Sequence, residues 1–119
     1  MGHTILVVED DDDIRSLAEL LLAGSGYATI PARSGEDGIR LLEQHPVDLV
    51  LLDINLPGIK GWEVCRQLRA DPRFTQLPIL VFTAQNARQD QGNWELVNGC
   101  INKPFERDVF LAAVASLLQ

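Results

Sequence analysis

The chain has 119 residues, 17 of them acidic and 10 basic, for a net charge of −7. That length favours one domain, residues 1–119, with enough chain to bury a real core. The acidic balance excludes nucleic-acid binding by this domain alone, because phosphate contacts need Lys and Arg, and no apolar run approaches the ~20 residues of a membrane span.

Met1 to Leu6 carries neither a myristoylation nor a signal-peptide pattern and leads into a strand-like run, Ile5-Leu6-Val7-Val8. Ile14, Leu17, Ala18 and Leu21 then follow helical spacing, with Asp12 or Asp13 as the expected cap and Gly24-Ser25-Gly26 as the stop. Tyr27 to Ile30 reads as a second strand. Ser34-Gly35-Glu36-Asp37 resembles a capping box that opens a helix to about Gln44, ended by Pro46. Leu49-Val50-Leu51-Leu52 is apolar throughout, as a central parallel strand covered on both faces should be. Asn55-Leu56-Pro57-Gly58 is a turn signal, after which Trp62, Cys65 and Leu68 space like one helix face. Ile79-Leu80-Val81-Phe82 is the fourth strand, and Phe110, Ala113, Val114 and Leu117 mark a closing helix. Cys65 and Cys100 form no CxxC pair and read as reduced thiols of a cytosolic protein.

Strand–helix alternation predicts an α/β fold, a parallel sheet with helices on both faces. Ligands in such sheets sit at the carboxyl ends of the strands, where strand order reverses. Glu9-Asp10 follows the first strand, Asp53 the third and Thr83 the fourth, while Lys103 precedes Pro104 and the last helix. A nucleotide-binding fold places Gly, Ser or Thr after its first strand, so that bare amides meet phosphate. Carboxylates there instead attract a hard, oxygen-seeking cation such as Mg²⁺. The cation relieves repulsion among the acids, Lys103 adds a second positive charge, and Thr83 offers a hydrogen-bond donor. The set suits a carboxylate nucleophile attacking phosphorus, since phosphoryl transfer needs mainly positioning and charge neutralisation. Singly, each residue has a blander reading: Asp11 to Asp13 as first-turn acids, Asp53 as a turn former, Thr83 as a strand residue and Lys103 as a solvated cation.

Taken together, Ile5-Leu6-Val7-Val8-Glu9-Asp10, Leu51-Leu52-Asp53-Ile54-Asn55-Leu56-Pro57-Gly58, Val81-Phe82-Thr83-Ala84 and Lys103-Pro104-Phe105 resemble the receiver domains of two-component response regulators. Gly61-Trp62-Glu63-Val64-Cys65 and Arg69-Ala70-Asp71-Pro72 fit the same family. The resemblance implies a doubly wound, flavodoxin-like sheet of five strands in the order 2-1-3-4-5. It implies Asp53 as phosphoacceptor, Glu9, Asp10, Asp53 and the Asn55 carbonyl as the Mg²⁺ site, Thr83 as switch hydroxyl and Lys103 as the phosphate-pairing lysine. Ala84 matches a position kept small beside the phosphoryl group, and the Lys103–Pro104 bond is expected to be cis. A sensor histidine kinase or phosphotransfer protein is the implied phosphodonor and an effector domain or partner protein the implied reader; a homodimer is left open.

Two departures stand out. Cys100 occupies the place where the family usually has Tyr or Phe, three residues before the lysine. The segment from Asn86 to Gly99 contains Gly92, Asn93, Asn98 and Gly99, poor helix formers, so an irregular or shortened fourth helix is expected there, with Trp94, Leu96 and Val97 as its apolar patch. Two other functions compete. An Asp-nucleophile phosphatase would need a second Asp where Asn55 stands, and Asn cannot cycle a proton. A degenerate receiver would act as a docking module independent of phosphorylation.

Overall fold

The computed structural model describes residues 2–84 and 94–118, and at residue 84 the backbone alone. Strands β1 (Thr4–Val8), β2 (Ala28–Ala32), β3 (Leu49–Leu52), β4 (Ile79–Ala84) and β5 (Gly99–Lys103) form one parallel sheet. Their order is β2-β1-β3-β4-β5. Helices α1 (Asp12–Gly24), α2 (Gly35–Gln44), α3 (Gly61–Ala70) and α4 (Arg107–Leu117) cover its two faces.

Successive strand residues point to opposite faces, and the two faces carry separate cores. Leu6, Val8, Val50, Leu52, Ile79 and Val81 face Leu42 of α2 and Trp62, Cys65 and Leu68 of α3. Ile5, Val7, Leu49, Leu51, Leu80 and Phe82 face Ala18 and Leu22 of α1 and Phe110 and Val114 of α4. β3 lies in the middle of the sheet, so all four of its side chains are buried, which explains its unbroken apolar sequence.

Local signals set the helix ends, with some shifts from expectation. Asp11, one residue before Asp12 and Asp13, caps α1: its side chain accepts from the Asp13 and Ile14 amides. Ser34 caps α2 by accepting from the Asp37 amide, but the Asp37 carboxylate turns outward to Arg40. β2 begins at Ala28 and extends to Ala32, because its register with β1 pairs Val8 with Ala32. β4 runs past Phe82 to Ala84, paired with Lys103 of β5. Cys65 and Cys100 form no disulfide.

The expectation of an irregular helix from Asn86 onward falls, for residues 86–93, outside the described residues. Beyond them, Trp94–Leu96 forms a single 3-10 turn. Trp94, Leu96 and Val97 pack against the core on the α2–α3 face, and the Trp94 ring meets Trp62 edge-on at 4.8 Å.

Candidate functional site

The chain winds from β1 outward to β2 and then back across to β3, so strand order reverses between β1 and β3. Glu9 and Asp53 occupy the carboxyl ends of those two strands, at the crevice this reversal opens. Backbone bonds fix both ends: the Glu9 amide donates to the Ala32 carbonyl and the Asp53 amide to the Val8 carbonyl, each at 3.0 Å.

Carboxylate oxygens of Glu9, Asp10 and Asp53 come within 4.8 Å of one another. Glu9 and Asp53 are buried, and Asp10 is exposed. Asp53 Oδ1 accepts from the Asn55 amide at 3.1 Å, and Asp53 Oδ2 faces the Lys103 ammonium at 3.2 Å. Lys103 also donates to Glu9 Oε1, while Glu9 Oε2 accepts from the Asp11 amide at 3.0 Å. The ammonium lies over the Phe82 ring, 4.8 Å from its centre, which holds the lysine stem against apolar surface. The Lys103–Pro104 bond is cis.

Electrostatics follow from burial. Desolvation raises the Glu9 carboxyl to about 7, the charge of Asp53 acts in the same direction, and the hydrogen bonds from Lys103 and Asp11 oppose it. Thr83 is fully buried on β4, and its hydroxyl has no hydrogen-bond partner among the described residues. An orphaned buried hydroxyl at a strand end is costly unless something polar comes to meet it.

The structure therefore gathers Glu9, Asp10, Asp53 and Lys103 in direct proximity. Asn55 touches the cluster through its backbone amide, with its side chain exposed. Three carboxylates without sulfur or imidazole form a donor set that fits a hard cation such as Mg²⁺.

Sequence reasoning missed the supports of this cluster. Arg15 is buried and donates to the Glu9 carbonyl at 2.9 Å while pairing with Asp12, which clamps the corner between β1 and α1. Its place two residues after the acidic run, and one turn after Asp12, was the available signal. Gly61 opens α3 directly behind Asp53: a Cβ there would stand 2.7 Å from the Asp53 carbonyl oxygen and from Ile54 Cα. Only glycine permits that approach.

A family model described as the response regulator receiver domain matches residues 5–115. The chain belongs to that family. The receiver domain is 49% identical over 83 residues to the transcriptional regulatory protein AfsQ1 of Streptomyces coelicolor, a match covering 70% of this chain and 36% of that protein. It is 33% identical over 121 residues to the polar-differentiation response regulator DivK of Brucella ovis, covering 99% of this chain and 98% of DivK. The solved response regulator TrrA of Thermotoga maritima, in complex with Mg²⁺ and BeF, superposes with a TM-score of 0.89 at 33% identity, covering 99% of this chain and all of that one. Of the full-length regulators it matches, this receiver spans 36% of AfsQ1 and 51% of a Bacillus subtilis relative, YrkP. Receiver domains are signalling modules that work with histidine kinases or phosphotransfer proteins. No helix among the described residues is long and apolar enough to cross a membrane.

Proposed function

We propose that residues 1–119 act as one cytoplasmic receiver domain that takes a phosphoryl group from a histidine kinase or phosphotransfer protein onto Asp53, with Mg²⁺ held by Glu9, Asp10, Asp53 and the Asn55 carbonyl. One observation carries this reading: the buried Asp53 carboxylate lies beside Glu9 and the Lys103 ammonium, with the Thr83 hydroxyl at the next strand end unpaired among the described residues. The complex of TrrA with Mg²⁺ and BeF supports the same reading by likeness.

The steps follow from the side chains. Asn55 and Lys103 hold the two Asp53 oxygens in a fixed orientation, which removes the entropy of aligning a nucleophile. An Asp53 oxygen attacks phosphorus, the donor's P–N bond breaks, and its electron pair stays on the imidazole nitrogen. Bound Mg²⁺ would supply charge neutralisation between the carboxylates and the phosphoryl oxygens. Lys103 and Thr83 are the chain's own groups for the remaining oxygens, one by charge and one by hydrogen bond. Phosphate at Asp53 would offer an acceptor to the Thr83 hydroxyl, which has none among the described residues, and the change would pass along β4 to a partner protein or effector domain. The convergence of Glu9, Asp10, Asp53 and Lys103 favours this reading over a docking module indifferent to phosphorylation.

The test is labelling with acetyl phosphate and Mg²⁺. Intact mass should show one added phosphoryl group in the native protein and none in Asp53→Asn. Equal labelling of that variant would overturn the assignment.

A further inference from the structure

Glu36 stands in the first turn of α2, yet its carboxylate crosses to the loop between β3 and α3. Oε2 accepts from the Ile59 amide at 3.2 Å. The same oxygen lies over Gly58, where a Cβ would stand only 2.6 Å away, and Gly58 has φ of 72°. A side chain at position 58 is thus opposed both by the backbone and by the carboxylate seated there. Bare backbone and one free amide make a notch that fits a carboxylate.

This loop begins at Asp53 and carries Asn55. Its other bonds run within the loop or to the elements it joins: the Asn55 amide to Asp53 Oδ1, the Leu56 amide to the Ile54 carbonyl, Lys60 Nζ to the Leu56 carbonyl, the Gly61 amide to the Ile54 carbonyl and the Asp53 amide to the Val8 carbonyl. Among the described residues, Glu36 is the one side chain from another element that bonds the loop backbone. The Asp53 amide and the buried Ile54 and Leu56 side chains tie the loop's first half to the sheet and core, whereas Gly58 and Ile59 in its second half are held to α2 through Glu36.

We propose that Glu36 is a positioning residue for the phosphorylation site: by holding Gly58 and Ile59 it sets where the Asn55 carbonyl lies relative to Asp53. This rests on the reading of Asp53 as a Mg²⁺-assisted phosphoacceptor. A backbone carbonyl is aimed only by its loop, and Mg²⁺ demands near-octahedral ligands at ~2.1 Å, so a small displacement of the loop lowers affinity.

The competing role for Glu36 is that of a first-turn acid favouring the helix dipole, which Asp37 shares without touching the loop. Glu36→Ala, Glu36→Gln and Asp37→Ala therefore form the comparison, read by amide exchange at Ile59, calorimetric Mg²⁺ affinity and labelling by acetyl phosphate. Glu36→Ala should speed exchange at Ile59 and weaken Mg²⁺ binding ~3- to 10-fold, the low end for residues that orient a metal ligand. Glu36→Gln, whose amide oxygen can accept the same N–H, should recover most of the affinity. Asp37→Ala should match the native protein in both. Mg²⁺ affinity of Glu36→Ala within about twofold of native, or an equal loss in Asp37→Ala, would overturn the proposal. A native protein that binds Mg²⁺ but takes no phosphate would defeat the phosphoacceptor reading alone, with Glu36 still judged by the affinity comparison. A native protein that binds no Mg²⁺ would overturn both.

Discussion

Lys103 Nζ stands 3.2 Å from Asp53 Oδ2, although their strands, β5 and β3, are separated in the sheet by β4. The lysine reaches across the end of β4, over the Phe82 ring, and also donates to Glu9 on β1. One ammonium therefore compensates two buried carboxylates drawn from two different strands.

Removing that ammonium leaves Glu9 and Asp53 facing each other without a counter-charge. Lys103→Ala is expected to lower the melting temperature in the absence of Mg²⁺, by more than a typical surface substitution, because a buried charge loses its partner. Mg²⁺ should then restore more of the loss than it adds to the native protein, since the cation takes over the compensation. Equal Mg²⁺ shifts in thermal melts of the two proteins would contradict this.

Asp10 behaves differently because it is exposed and joins no ion pair among the described residues. Asp10→Ala should weaken Mg²⁺ binding tenfold or so, as loss of one carboxylate ligand, while leaving the metal-free protein as stable as native or slightly more so. Calorimetric titration and a thermal melt check the two halves separately; unchanged Mg²⁺ affinity would remove Asp10 from the site.

Glu9 gives the site a pH dependence whose sign follows from burial. Its carboxyl titrates near 7 when folded and near 4.5 when unfolded. Between these values the folded state binds more protons, so the stability of the metal-free protein should fall as pH rises from 4.5 through 7. Mg²⁺ needs the ionised carboxylate, so its stabilising effect should be larger at about pH 7.5 than at about pH 5.5. Glu9→Gln should flatten this difference in paired melts at the two pH values.

Thr83 is a buried hydroxyl without a partner among the described residues, and such a group costs ~1–3 kcal/mol. Thr83→Val keeps the shape and removes the unmet polar atom, so the unphosphorylated protein should gain ~1–2 kcal/mol in denaturant unfolding. Labelling of Asp53 should persist, while the shift in amide protection on adding beryllofluoride and Mg²⁺ should shrink. A variant less stable than native would show that the hydroxyl is already satisfied.

The apolar runs and the residues that end them were legible in the chain. Leu49 to Leu52 is buried on both faces, so the sequence had no polar alternation there, and Asp53 stood out as the first charge after it. The same reasoning placed Glu9 and Thr83 at strand ends, because burial forces apolar runs and only their carboxyl ends meet solvent. Lys103, at the end of the mixed β5 sequence, was legible only by its place before Pro104 and the last helix. Strand order came from family resemblance rather than periodicity, since a two-residue period tells which face a side chain takes and not which strand lies beside it.

Tertiary structure decided the pairings. Lys103 meets Glu9 across 94 positions of sequence, and Glu36 meets Ile59 across 23; both depend on how far the twisted sheet carries one strand end toward another. Arg69 follows the same rule: it reads as an ordinary helix-end cation, yet it is half-buried and bonds the carbonyls of Phe74, Leu77 and Leu96 and the Asn98 side chain, joining the end of α3 to the entry of β5. Local sequence fixes which groups reach a strand end or a helix turn, because φ, ψ and burial are local constraints. Which of those groups meet is fixed by strand order and sheet twist, and these are set by the packing of the whole core.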